Sequence, residues 1–171
     1  MHRRVKIGTW IVMSLAMACG QVAFADDVET ARLAELDALW GTISKAVATG
    51  DFETYSATCH PDGVLISGRR QRTEPLAAAL KRWEKEFDAT CAGRMKASAS
   101  LRWATRYGDA NTAYEVGILR YAFQPVGGEE TVEYVDIEVV LVKHDDGWKV
   151  TCENQKGLTT EEAWNALKPV K

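Results

Sequence analysis

The feature that most limits what this chain can fold into is a set of four runs, residues 97–107, 112–123, 131–143 and 148–155, in which apolar and polar side chains alternate with a period of two. Turn residues separate them: Gly108-Asp109, then Gln124-Pro125-Val126-Gly127-Gly128, then His144-Asp145-Asp146-Gly147. Short connections between alternating runs predict an antiparallel four-strand meander with one face buried. Alternation divides the side chains into two sets. Leu101, Trp103, Ala113, Glu115, Gly117, Leu119, Tyr121, Val135, Ile137, Val139, Leu141, Trp148, Val150, Cys152 and Asn154 share one face. Arg102, Arg106, Arg120, Asp136, Glu138, Lys149 and Glu153 share the other. Charges of both signs can pair across a ladder in water, whereas burying them unpaired costs on the order of several kcal/mol. The first set is therefore expected to face inward. The outer face also carries Tyr114, Val116, Ile118, Val140 and Val142, too many large apolar residues for a bare surface, which predicts a partner sheet.

Upstream of the meander the period changes. Val28, Ala31, Leu33, Leu36, Leu39, Trp40, Ile43, Ala46 and Val47 predict an amphipathic helix over 28–49, capped by Asp26 or Asp27 and closed by Gly50. Asp51 is expected to cap a short second helix carrying Phe52, Tyr55 and Cys59. His60-Pro61-Asp62-Gly63 reads as a turn held by an Asp62 Asx bond, and 64–67 with 69–72 as a short hairpin about Gly68. A third helix is expected from Thr73-Glu74-Pro75, with Leu76, Leu80, Trp83 and Phe87 as its apolar stripe. Ala163, Trp164 and Leu167 predict one last docked turn.

Residues 1–25 read as a signal peptide. His2-Arg3-Arg4-Val5-Lys6 is basic, 7–18 is mostly apolar, and Ala23-Phe24-Ala25 is a small-x-small cleavage site. Lipidation at Cys19 is the alternative. Cleavage after Ala25 leaves 146 of the 171 residues, one domain over 26–171 with its core at 28–157, in the periplasm or outside the cell. The removed piece takes Arg3, Arg4 and Lys6 and no acid, so the net charge of −3 becomes −6. A mildly acidic exported domain is a poor candidate for nucleic acid, and no membrane association is expected of the mature form. No phosphate loop, dinucleotide fingerprint or metal spacing is present, so no cofactor is expected. Cys59-His60 invites a metal or a nucleophile. Adjacent side chains diverge, however, and the mature chain holds only His60 and His144, so no metal site is expected.

The order of these pieces resembles the nuclear-transport-factor-two-like superfamily, in particular its SnoaL-like branch. The resemblance is carried by Ala48-Thr49-Gly50-Asp51-Phe52, Pro61-Asp62-Gly63, Gly108-Asp109 with Thr112-Ala113-Tyr114-Glu115, and Asp145-Asp146-Gly147-Trp148-Lys149-Val150. It implies an α+β cone: a curved, mainly antiparallel sheet, built of the hairpin and the meander, wrapped around three N-terminal helices. It also implies a helix-capped pocket and, commonly, a homodimer on the outer face of the sheet. The steroid isomerases of the superfamily place a catalytic aspartate where this chain has Ser67, and a proton-donating acid near Val139. The resemblance thus speaks against that chemistry here. In such a topology the third helix ends near the finish of the last strand, which suggests a disulfide between Cys91 and Cys152.

Glu115 is the sharpest candidate for chemistry. Pointing into the cone beside Tyr121 and Asn154, it would serve as general acid or base, with Tyr121 or Asn154 steadying an oxyanion. The plainer alternative is that it sits at the open rim, pairs with an arginine and only orders the mouth. Trp40, Tyr55, His60, Trp83, Trp103, Val139 and Trp148 complete the expected pocket wall. Two functions follow. One is a pocket for a small apolar or cyclic ligand, with cofactor-free isomerisation, dehydration or cyclisation as the affordable chemistry. The other is a non-catalytic homodimeric interaction module whose cavity is filled.

Overall fold

A computed structural model of the chain describes residues 17–168, with side chains from Asp27 onward. The first part of the expected signal peptide lies outside the described residues. Helix α1 (Met17–Thr49) passes without a break through Ala25, so Asp26 and Asp27 lie inside it rather than capping a helix at Val28. Its buried stripe is Leu36, Trp40, Ile43, Ala46 and Val47. Gly50 ends it at φ 72°, where a Cβ would lie 2.3 Å from the Cys91 nitrogen, so only glycine fits. Helix α2 (Phe52–Ala57) is capped by Asp51, which accepts from Thr54 N at 3.0 Å. Helix α3 (Leu76–Cys91) follows Pro75, and Thr73 and Glu74 belong to a strand rather than to its first turn. Among the described residues no helix is long and apolar enough to cross a membrane.

Six strands form one sheet in the order β2-β1-β6-β5-β4-β3. They are β1 (Cys59–Ser67), β2 (Arg72–Pro75), β3 (Met95–Gly108), β4 (Thr112–Pro125), β5 (Thr131–His144) and β6 (Gly147–Leu158). The expected meander is present, and β1 closes the sheet by pairing parallel to β6. His60-Pro61-Asp62-Gly63 is not a turn between elements but a bulge within β1, between the pairs Cys59–Val150 and Val64–Cys152. His60 Nδ1, not the Asp62 carboxylate, holds it by accepting from Asp62 N at 3.1 Å.

The choice of inner face holds: Glu115, Val139 and Leu141 are buried under the helices, and Glu138 lies on the outside. Two bulges revise it locally, because an extra residue flips every side chain beyond it. In β3, between Trp103 and Thr105, the shift turns Arg106 inward. Gly117 lies opposite, and a Cβ there would sit 2.2 Å from the Arg102 carbonyl oxygen. In β6, between Val150 and Cys152, the shift turns Cys152 and Asn154 outward and Glu153 and Gln155 inward. The three described cysteines are free. Cys152 shares the outer face with Val140, while Cys91 ends α3 on the helical side, so the suggested bridge does not form.

The outer face is partly covered by its own chain. Helix α4 (Glu161–Ala166) brings Trp164 under the Arg102 guanidinium, 4.4 Å from the ring centroid, and against Tyr134. Arg102 donates to the Trp164 carbonyl at 2.9 Å. Ile118, the ladder partner of Arg102, is only 5% exposed and is not available to a partner sheet.

Candidate ligand cavity

Small residues on β3 make room under the helices. Ala97 and Ala99 occupy two inner-face positions at one end of the strand, whereas Leu101, Trp103 and Arg106 fill the other. The space above the alanines is a cavity of about 250 Å³. Trp40, Ile43 and Val47 of α1 and Trp83 and Phe87 of α3 form its helical wall. Leu119, Val135, Ile137 and Val139 form its floor. Tyr55 of α2 packs between the helices, its ring 4.9 Å from Phe87 and 6.2 Å from Trp83.

The polar groups gather on β6 and at the mouth. Glu153 and Gln155 point inward, and Gln155 Nε2 donates to Glu153 Oε1 at 2.7 Å. Among the described residues Glu153 Oε2 has no partner. Desolvation raises the Glu153 pKa above the usual carboxylate range, and the single amide bond offsets it only in part. Burial and the nearby Glu153 also push the Tyr55 phenol upward, and push the Cys59 thiol up to about 12, which makes it inert as a nucleophile. Tyr121 lies on the wall and donates to Glu86 Oε2 at 3.1 Å, with burial raising its pKa. Arg69 and Glu133 pair across the mouth at 3.2 Å.

Of the residues expected to form the site, the structure brings together Trp40, Tyr55, Trp83, Tyr121 and Val139. Glu115 is not among them. It is fully buried behind Trp40, which donates to its Oε2 at 2.6 Å, and Arg106 Nε donates to its Oε1. Arg106 in turn pairs with Asp37 at 2.5 Å. Burial raises the Glu115 pKa while Arg106 and Trp40 draw it down. The arginine-paired reading therefore describes Glu115, in the packed interior rather than at the rim. Trp103 stacks behind Trp40 at 5.1 Å, and Trp148 donates to Glu35 at 2.8 Å, both away from the cavity. His60 stands against His144, 5.1 Å between ring centroids, and Asn154 donates to Glu138 on the outer face. Glu153 was missed because unbroken alternation puts it outside, and no residue type near Thr151 announces the bulge. Among the described residues no three metal-ligating side chains cluster.

The sequence matches the family model described as calcium/calmodulin dependent protein kinase II association domain over residues 32–155, from α1 to β6. No curated protein matches it. Solved structures with the same fold include a conserved protein from Planctomyces limnophilus, with a TM-score of 0.60 and 16% identity, over 73% of this chain and 94% of that one. Another, from Catenulispora acidiphila, has a TM-score of 0.58 and 19% identity, over 81% and 97%. A nuclear transport factor 2-like superfamily protein from Salmonella enterica has a TM-score of 0.58 and 14% identity, over 78% and 95%. The chain belongs to the calcium/calmodulin dependent protein kinase II association domain family, built on the nuclear-transport-factor-two-like cone.

Proposed function

We propose that the domain binds a small, mostly apolar molecule in the cavity beneath α1 and α3. The observation that carries this reading is a 250 Å³ space with aromatic and aliphatic walls and polar groups converging at one end. If proton transfer accompanies binding, Glu153 is the carboxyl with an open oxygen on the wall, and Glu115 is excluded by its own partners. The test is non-denaturing mass spectrometry of the purified protein. A retained small molecule that is lost when Ala99→Leu fills the cavity supports the reading. A protein that carries nothing, and whose melting temperature no small apolar compound raises, overturns it.

Export belongs to the same reading, supported by the basic start, the apolar run and Ala23-Phe24-Ala25. A mature N-terminus at Asp26 is the expected result.

A second reading, association of two copies, is favoured by one row on the outer face. Tyr107, Tyr114, Val140, Cys152 and Val64 are ladder partners across five strands. Tyr107 is 57% exposed, and Val140 and Val64 are 38% exposed, beyond the reach of α4. The row takes in Tyr114 and Val140 of the expected dimer face and omits Ile118. The family's description as an association domain supports pairing. Val140→Asp is expected to shift a dimer to monomer in sedimentation velocity; an unshifted dimer removes this surface.

A further inference from the structure

Charge on the cavity wall is one-sided. Glu86, Glu133 and Glu153 line it against, among the described residues, a single cation, Arg69, which is already paired with Glu133. Glu86 is exposed and accepts from Tyr121, whereas the more enclosed Glu153 accepts only from Gln155, through Oε1. The cavity walls include the aromatic residues Trp40, Tyr55, Trp83 and Phe87, whose ring faces carry negative charge density that favours a cation. An anionic ligand would meet these groups with no free cation among the described residues to receive it. A neutral ligand would give the ionised form of Glu153 no compensating charge.

Resting on the ligand-binding reading above, we infer that the cavity selects a small apolar amine whose ammonium pairs with Glu153. The titratable and charged groups that line the cavity with Glu153 are Tyr55 from α2, Glu86 from α3, Tyr121 from β4, Glu133 from β5 and Arg69 from the β1–β2 turn, with Cys59 of β1 close by and Gln155 bonded to Glu153 on its own strand. None of these carries a free positive charge, and in the empty site burial lets Glu153 keep its proton to higher pH than an ordinary carboxylate. Over that interval of pH, entry of the ammonium breaks the Glu153 O–H bond, the proton leaves to solvent and the carboxylate pairs with the cation. The amine keeps its own proton throughout.

Three probes of matched shape test this by calorimetry on the full chain: phenethylamine, phenethyl alcohol and 3-phenylpropanoate. The amine is expected to bind about tenfold or more tightly than the alcohol, and the anion least tightly. Over the pH interval in which Glu153 keeps its proton, the amine's apparent enthalpy should also change with the ionisation enthalpy of the buffer, reporting proton release on the native protein. Glu153→Gln should bring amine and alcohol to equal affinity and leave the alcohol where it was, with an unchanged circular dichroism spectrum. Alcohol binding as tight as amine binding, or an amine preference that survives Glu153→Gln, overturns the inference while leaving the pocket reading in place. No binding by any of the three overturns both.

Discussion

At one end of the concave face Glu115 is enclosed completely, with Trp40 and Arg106 on its oxygens and Asp37 behind Arg106. At the other end Glu153 lies beside an open cavity with one amide for company. The two residues share a sheet, a face and a side chain, and burial raises the pKa of both. What differs is whether the charge is answered from within the protein. At the closed end a bulge in β3 brings an arginine to the acid. At the open end a bulge in β6 brings the acid to a space and no cation with it. The first arrangement is a piece of architecture, and the second has the form of a receptor.

The largest test of this contrast is removal of the enclosed acid. Glu115→Ala leaves Arg106 half-answered by Asp37 and strips Trp40 Nε1 of its acceptor, so a loss of roughly 3–5 kcal/mol in urea unfolding is expected. A variant as stable as the parent would mean that the closed end is not held by its ion pair. Next is the device that aims Arg106. Gly117→Ala puts a methyl 2.2 Å from the Arg102 carbonyl oxygen and 2.8 Å from Trp103 Cε3, and neither neighbour is a flexible tip. A cost of about 2–4 kcal/mol is expected, with the Trp40 and Trp103 fluorescence disturbed. An unperturbed spectrum would show that the bulge tolerates a side chain.

Packing sharpens the comparison further. Ala113→Leu enlarges a side chain that is 3% exposed at the closed end, and overpacking there should cost about 1–3 kcal/mol. Ala99→Leu enlarges one that faces the cavity, and should change stability by less than about 1 kcal/mol while abolishing ligand retention. Equal losses at the two positions would mean that the cavity is not open space in solution.

Much of the fold was legible because its signals are periodic. The strand faces of β4 and β5 follow strict alternation from Ala113 to Tyr121 and from Val135 to Leu141, and no bulge interrupts their ladder. The buried stripe of α1 and the cap at Asp51 obey spacing rules equally well. What was illegible lies beyond interruptions of the period. Arg106 and Glu153 carry the electrostatics of the two ends, and each sits past a bulge, so each was assigned to the wrong side. Gly117 was visible as a glycine inside a strand, a sign of close backbone approach, but not which partner approached. The cover that α4 lays over Ile118 depends on a long return of the chain across the sheet, which local pattern does not encode.

The smallest effect tests the open end through its titration. In the unfolded chain Glu153 releases its proton in the ordinary carboxylate range; in the folded chain burial delays release to higher pH. Over that interval the folded state binds more protons than the unfolded one, so the native protein loses stability as pH rises through it. Glu153→Gln has no proton to lose, keeps the size of the side chain, and can still pair with Gln155. The other titrating groups are common to both proteins and cancel in the difference. The variant should therefore match the parent below the ordinary carboxylate range and become the more stable of the two as pH rises toward neutrality. Urea midpoints measured at a series of pH values read this difference directly. A gap that does not change with pH would mean that Glu153 is already answered by a charge, and that the two ends of the cone are alike after all.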